Sequence, residues 1–332
     1  MTPRRHKLLI QIPCYNEEAT LGITLSSLPR RVPGFDVVEW MVIDDGSTDR
    51  TSEVARAHGV DHLVRLPRNQ CLARAFAAGI EAAVRAGADV IVNTDADNQY
   101  CADDIPRLVQ PILDAEADLV IGARPILDLA HFSSTKKILQ ILGSRVVRLA
   151  SRTRVADAPS GFRAISREAA LQLNVFGEYT YTLETIIQAG QRNIAIASVP
   201  VRTNPDLRPS RLIRSIPRYV LRSAVTIVRS FAIYRPLRFF VGIGLLLFAA
   251  GALLALRYLY FALTGEGTGH IQSVVVSCLL MGLGVYTGLI GVVADLISVN
   301  RKLLEKIDSR LRALEPAWPI APAPRRQRRD AA

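Results

Sequence analysis

Val90-Ile91-Val92-Asn93-Thr94-Asp95-Ala96-Asp97-Asn98-Gln99 is the stretch on which the reading of this chain turns. A short apolar run that stops abruptly in acids is what a buried parallel strand looks like where it meets a ligand; the strand is predicted over Asp89–Asn93. Asp95 and Asp97 stand two residues apart, so in extended backbone they project on one side. Gln99, two further on, adds a carbonyl oxygen. Oxygen donors of this kind suit a hard divalent cation, Mg²⁺ or Mn²⁺, with positions left open for phosphates. Taken alone, such a pair is weak, because most Asp-x-Asp pairs are solvated loop acids. Its neighbours give it weight.

Upstream, Lys7–Ile12 is an apolar run ending at Pro13, and Glu17–Leu28 reads as the helix that follows it. Val38–Ile43 stops at Asp44-Asp45-Gly46-Ser47, where Ser47 or Asp49 offers a cap to the next helix. Asp61–Leu66 is a weaker strand and Cys71–Ala86 a helix. Downstream come a helix over Asp104–Ala115 and a strand over Asp118–Gly122. Strands alternating with helices predict an α/β fold with a mostly parallel sheet, whose ligands bind at the carboxyl ends of the strands. The polar clusters at 13–18, 44–49 and 95–99 all fall on that edge. A dinucleotide-binding fold would carry Gly-x-Gly-x-x-Gly after the first strand; Pro13-Cys14-Tyr15-Asn16-Glu17-Glu18 stands there instead.

A cation between two carboxylates and a diphosphate fits a reaction in which a nucleoside diphosphate departs, since it offsets the charge that builds on the leaving oxygens. Arginine forks match phosphate oxygens in the same way. Arg124 follows Ile121-Gly122-Ala123 at a strand end, Arg208 and Arg211 flank Pro209-Ser210, and Arg163 closes Ser160-Gly161-Phe162-Arg163. Each of these would also serve as half of a surface ion pair.

Ile12-Pro13-Cys14-Tyr15-Asn16-Glu17-Glu18, Val42-Ile43-Asp44-Asp45-Gly46-Ser47-Thr48-Asp49 and Asp95-Ala96-Asp97-Asn98-Gln99, in this order, resemble the inverting family 2 glycosyltransferases. Asp157-Ala158-Pro159-Ser160-Gly161-Phe162-Arg163 narrows the resemblance to the dolichol-phosphate mannose synthase-like, polyprenyl-phosphate branch. It covers residues 7 to about 211 and implies a GT-A fold, a Rossmann-like sheet that is mostly parallel. By similarity, Pro13, Tyr15, Glu17 and Asp44, with Asp45 beside it, hold the base and ribose of a UDP- or GDP-sugar. Asp95, Asp97 and Gln99 surround the metal and diphosphate, with Arg124 and Arg211 on the donor phosphates. Ser160 and Arg163 are the candidates for an acceptor phosphate. A phosphate monoester has a second pKa of about 6 and is largely ionised at neutral pH, so it needs orientation more than a base. Asp157 is the first carboxylate expected to organise it and Glu184 the second; with Asp97 they make up the catalytic set. A lipid hydroxyl, as in a diacylglycerol or glycolipid, is the alternative acceptor, and an inactive membrane-tethered scaffold the alternative of another class. Two departures stand out. Asn69-Gln70-Cys71 replaces the frequent Asn-x-Gly before the third helix, and no Gln-x-x-Arg-Trp motif of processive synthases is present, which points to single transfer.

The remaining sequence is of a different kind. Hydrophobic residues make up 49% of the 332-residue chain, and its net charge of +11 is unevenly placed. Between Pro205 and Phe240 there are eight arginines and one acid, Asp206. Arg211, Arg214, Arg218, Arg222 and Arg229 recur at helical spacing, as in a basic helix lying on a membrane surface beside lipid head groups. Phe239–Leu256 and Ile271–Ala294 carry no charge for 18 and 24 residues, the length that crosses a bilayer. The expected division is therefore a catalytic domain over 1–207, interfacial amphipathic helices over 208–236, a two-helix transmembrane hairpin over 237–299 and a basic tail over 300–332. Arginine and lysine flank the hairpin outside, while Thr264–His270 between its helices has none, which predicts both termini and the catalytic domain on the cytoplasmic face. Basic segments fused to apolar spans argue for lipid over nucleic acid. The opening residues carry no long apolar core, so no signal peptide is expected, and the scattered Cys14, Cys71, Cys101 and Cys278 suit a reducing compartment. A homo-oligomer is compatible with all of this.

Overall fold

The structure, a computed structural model, describes residues 6–125, 153, 155–175, 181–205, 225, 228–229, 232, 235–264 and 271–314. Contacts divide the chain into two compact units, Met1–Ile227 with Ser309–Ala332, and Val228–Asp308.

The first unit is built on strands β1 (Lys7–Cys14), β2 (Val37–Asp44), β3 (His62–Arg65), β4 (Val90–Asn93), β5 (Leu119–Ala123), β6 (Arg163–Ser166) and β7 (Ile196–Pro200). They form one sheet in the order β3-β2-β1-β4-β6-β5-β7. All neighbours are parallel except β6, which runs antiparallel to both β4 and β5. The helices of this unit are α1 (Leu21–Ser27), α2 (Thr51–Ala57), α3 (Leu72–Arg85), α4 (Ile105–Leu113), α5 (Arg167–Gln172) and α6 (Thr182–Gln191). The central strands β1 and β4 are buried almost throughout, so they read as continuous apolar runs rather than alternating ones. Leu8, Ile10, Ile12, Val42, Val90 and Val92 join Ile105, Leu108 and Val109 of α4 in the main core cluster.

The strands expected from sequence are present, each end within two residues of its predicted place. The first helix is not: it starts at Leu21 rather than Glu17. The amides of Glu17 and Glu18 are instead drawn across to Thr51 Oγ1 at 2.9 Å and Asp49 Oδ2 at 3.1 Å, which holds that turn in the loop. Strands β6 and β7 were not anticipated.

The second unit holds α7 (Pro236–Leu263) and all but the last six residues of α8 (Ile271–Leu314). Two candidate membrane spans, Pro236–Leu263 and Ile271–Arg301, lie in them, and in their most apolar stretches only 11% and 17% is buried. A core helix of a soluble domain would be mostly buried, and a leader would lie near the N-terminus; neither description fits. The two helices pack antiparallel at small residues. A Cβ on Gly244 would lie 2.6 Å from the Gly284 carbonyl oxygen, and one on Gly284 2.7 Å from that of Gly244. Ser277 Oγ donates to Gly251 O at 2.8 Å across the same seam. Close backbone approach and a hydroxyl bridge are the usual means of holding helices together where no hydrophobic drive between them exists. The interfacial helices expected over 208–236 lie mostly outside the described residues.

Gly284→Val should therefore separate α7 from α8, at a cost of about 1–3 kcal/mol of overpacking. Thermal unfolding of the detergent-solubilised chain would show it as a lowered midpoint; an unchanged midpoint would mean that the seam yields freely.

Candidate active site

The parallel register brings the ends of β1, β2 and β4 side by side: Cys14 pairs with Asp44, and Gln11 with Asn93. The loops that leave β1 and β2 are then cross-linked. Asn16, at φ 54, donates its amide to Ser47 Oγ at 3.0 Å and accepts at Oδ1 from the Thr48 amide at 2.9 Å. The Arg50 amide donates to Glu18 Oε2 at 3.0 Å. Glu17, buried, accepts from Thr20 Oγ1 at 2.8 Å. Pro13 is the last but one residue of β1, opposite Ile43, and Tyr15 stands exposed on the loop that follows.

Asp44 and Asp45 are both buried. Asp44 accepts from the Ser47 amide at 2.7 Å and from Ser52 Oγ, and Arg65 lies 3.6 Å away. Asp45 donates its own amide to Cys14 O at 2.9 Å and accepts from the Gln70 amide at 2.8 Å; burial raises its pKa. These acids thus shape the loop as well as facing the edge. Gly46, at φ +69, allows the 68–70 backbone to close on this turn, since a Cβ there would lie 2.5 Å from the Arg68 carbonyl carbon. The missing glycine at position 71 is answered locally. Cys71 itself takes φ 73, ψ 158, backbone that L side chains adopt only under strain, and its amide donates to Asn69 Oδ1 at 3.2 Å.

Beyond β4, Asp97 accepts at Oδ1 from the Gln99 amide at 3.2 Å. Asp95 keeps a strip of its surface open but is otherwise enclosed. Burial, and then the charge of Asp97, pushes its pKa up to about 7, against the pull of Arg124 and Arg163. Its carboxylate lies against the Gly161 backbone, where a Cβ would come within 2.8 and 2.9 Å of its two oxygens. A donor set of few, hard oxygens with excess negative charge in a desolvated place fits a divalent cation. Among the described residues no group of three or more His, Cys, Asp or Glu could hold an ion by itself, so further oxygens, from water, amides or a bound ligand, would have to complete the shell.

Asp157 is fully buried and meets Arg124. The guanidinium donates to its Oδ2 at 2.7 Å and to its Oδ1 at 3.2 Å, and the Arg124 amide adds a bond at 3.3 Å. Arg124 also reaches Gln99 Oε1 at 3.4 Å. The structure therefore joins Arg124, Gln99 and Asp157 into one ionic group beside Asp95 and Asp97. Arg163 corrects an expectation. It is wholly buried, and its guanidinium donates to Ser160 O at 2.8 Å, Ala158 O at 2.8 Å and Thr185 Oγ1 at 2.6 Å. Spent on protein acceptors and closed to solvent, it staples the 157–163 loop to α6 rather than meeting an acceptor phosphate. Ser160 is buried as well, its Oγ accepting from the Phe162 amide at 3.3 Å. Glu184 is buried on α6. Arg211, like Arg208, lies outside the described residues.

Sequence reasoning missed Asn93, Tyr100 and Tyr181. Tyr100 accepts from the Gly161 amide at 3.0 Å, and burial pushes its phenol up to about 12. Tyr181, stacked on Phe76 with ring centroids 3.8 Å apart, is pushed well up by burial and then by Asp95, so it stays a hydroxyl. The one available signal was Asn93, an amide closing an otherwise apolar strand.

The model of the family described as Glycosyl transferase family 2 matches residues 9–173. An uncharacterized glycosyltransferase of Mycobacterium tuberculosis is 32% identical over 199 residues, which cover 59% of this chain and 84% of that protein. The undecaprenyl-phosphate mannosyltransferase of Micrococcus luteus is 28% identical over 205 residues, 59% of this chain and 82% of that one. Among solved structures, glucosyl-3-phosphoglycerate synthase of Mycobacterium tuberculosis, in complex with Mn²⁺, UDP and glucosyl-3-phosphoglycerate, shares the fold with a TM-score of 0.52. It is 25% identical, and the match covers 67% of this chain and 80% of that one.

Two stability measurements check this geometry. Asp157→Ala strands the Arg124 charge and should cost about 3–5 kcal/mol, most of it recovered in the Arg124→Met/Asp157→Leu double variant; additive losses in denaturant unfolding would contradict a coupled pair. Cys71→Gly relieves backbone strain of about 1–3 kcal/mol at an entropic cost of roughly 0.5–1 kcal/mol. It should raise the unfolding midpoint, and a lowered one would show that the loop is unstrained.

Proposed function

From the fact that this chain belongs to glycosyl transferase family 2, we propose that it moves one sugar, with inversion, from a UDP- or GDP-sugar to a polyprenyl phosphate. The observation that carries the reading is the pair Asp95 and Asp97 at the carboxyl edge of the sheet, with Asp95 enclosed by protein and its pKa raised by burial and its neighbour. Asp95 and Asp97, with Gln99 beside them, would hold Mg²⁺ or Mn²⁺ together with the donor diphosphate. When bound, the cation supplies neutralisation of the charge that develops as the glycosidic bond breaks. The solved relative carries Mn²⁺ and UDP in the same fold.

The chain's own residues do the rest. Pro13, Tyr15 and Glu17 form one wall for base and ribose, and Asp44 and Asp45 fix the other by holding the loops at 44–52 and 68–70 in place. Arg124 faces the acidic edge while anchored to Asp157, so its charge is available to phosphate without the side chain being free to leave. Asp157 acts in this scheme by orienting Arg124 and, through it, the phosphates. The acceptor oxygen is ionised beforehand, which removes the need for a strong base. Support for the lipid acceptor comes from the Micrococcus relative, from the basic run between Pro205 and Phe240 and from the two candidate spans. The arginine and lysine outside those spans place the termini and the catalytic domain on the cytoplasmic face in this proposal.

Membranes carrying the chain should transfer label from one of a panel of nucleotide-sugars to added polyprenyl phosphate, giving an organic-extractable product labile to mild acid. A product stable to mild acid would point to a lipid hydroxyl instead. Asp97→Ala should lower transfer on the order of a thousandfold or more while the protein still fractionates with membranes. Retained activity would mean that the diphosphate is held elsewhere.

A further inference from the structure

Gln11, Asn93 and Arg163 stand in one row across β1, β4 and β6, each paired in register with the next. All three are fully buried. Polar side chains at such positions destabilise a sheet centre unless their hydrogen bonds are made, and apolar residues would serve packing better. Gln11 Oε1 has no partner among the described residues, but the amides of the row are otherwise wired. Gln11 Nε2 donates to Asn93 Oδ1 at 2.9 Å. Asn93 Nδ2 donates in turn to Gly161 O at 2.8 Å and to the Tyr181 hydroxyl at 2.9 Å.

These bonds end at one place. Gly161 is gripped on both sides, its amide by Tyr100 and its carbonyl by Asn93. The Asp95 carboxylate oxygens lie 2.8 and 2.9 Å, and the Tyr181 hydroxyl 3.1 Å, from the point where a Gly161 side chain would begin. Tyr181 is fixed on its other side by its stack on Phe76. The Asp95 carboxylate and the Tyr181 hydroxyl therefore converge on Gly161, and Asn93, two residues upstream of Asp95 in sequence, holds both Gly161 and Tyr181.

We infer that Asn93 and Tyr181 are positioning residues: through Gly161 they hold the Asp95 carboxylate where it meets a divalent cation. The inference rests on the reading of Asp95 and Asp97 as the cation's protein ligands. Partners that orient a ligating carboxylate govern metal affinity even though they never touch the ion.

The test is Mn²⁺ titrated into the full chain in detergent, with UDP in one series and GDP in another, read by the loss of the free Mn²⁺ electron paramagnetic resonance signal. Tyr181→Phe removes one hydroxyl and keeps the ring on Phe76; it should weaken Mn²⁺ binding about tenfold or more. Gly161→Ala pushes a methyl group into the carboxylate and should weaken it further. Circular dichroism of both variants should match the parent chain, and if one does not fold the other carries the test. Asp97→Ala is the reference for the site itself. Loss of binding in Asp97→Ala with parental affinity in both other variants would overturn the positioning role and leave the cation site standing. Parental binding in Asp97→Ala, or no binding by the parent chain with either nucleotide, would overturn the site and this inference with it.

Discussion

A carboxylate stripped of most of its water beside a second carboxylate is the constraint around which the first unit is arranged. Asp95 would be at ease in a solvated loop. Enclosed, and with Asp97 two residues away, its charged form is disfavoured enough to bring its pKa up to about 7. A fold selected for stability alone would place an apolar residue or an exposed turn there. This chain instead surrounds the acid with Arg124 and Arg163, whose charges pull the other way, and keeps both arginines in place with protein acceptors. Arg124 is held by Asp157, and Arg163 by two carbonyls and a threonine. The acid keeps an open side, and the cationic help comes from residues that cannot swing away.

The same logic explains why two loops distant in sequence behave as one surface. Parallel pairing sets the ends of β1 and β2 level, and short polar side chains then bridge the gap: Asn16 to Ser47 and Thr48, Glu17 to Thr51, Glu18 to Asp49 and Arg50. Each bond satisfies an amide that would otherwise need water or a helix. The delayed start of α1 follows from this, because the Glu17 and Glu18 amides are spent across the gap. The polar cluster is thus part of the scaffold as well as its ligand face.

Much of this was legible beforehand. Buried parallel strands announce themselves as apolar runs, and Val90-Ile91-Val92 or Leu8-Leu9-Ile10 admits few other readings. Acids at the ends of such runs must lie on one edge. Less legible was anything that depends on the antiparallel strand β6. Arg163-Ala164-Ile165-Ser166 is too short and too polar at its start to read as a strand, so Arg163 looked like a phosphate ligand at a loop end. Register places it between β4 and β5, where each of its guanidinium nitrogens donates to protein. Asn93 was passed over for the converse reason: as the last residue of an apolar run it resembled an ordinary strand end. Its meaning lies in Gln11, Gly161 and Tyr181, which are 68 to 88 residues away or, for Gln11, 82, and no local pattern links them.

The acceptor is where these constraints bear hardest on chemistry. Attack by a lipid hydroxyl requires a carboxylate free to take a proton as the bond forms. Asp157, the nearest acid to the Arg124 and Gln99 group, has both oxygens committed to Arg124, and taking a proton would mean weakening a buried ion pair. Attack by a phosphate oxygen makes no such demand: the nucleophile arrives ionised, and what it needs is a fixed positive neighbour and a fixed distance. An arginine clamped by a buried aspartate meets that need. The pairing of Arg124 with Asp157 therefore favours an acceptor that brings its own charge, and it is the feature of the site that argues most directly for a phosphate over a hydroxyl.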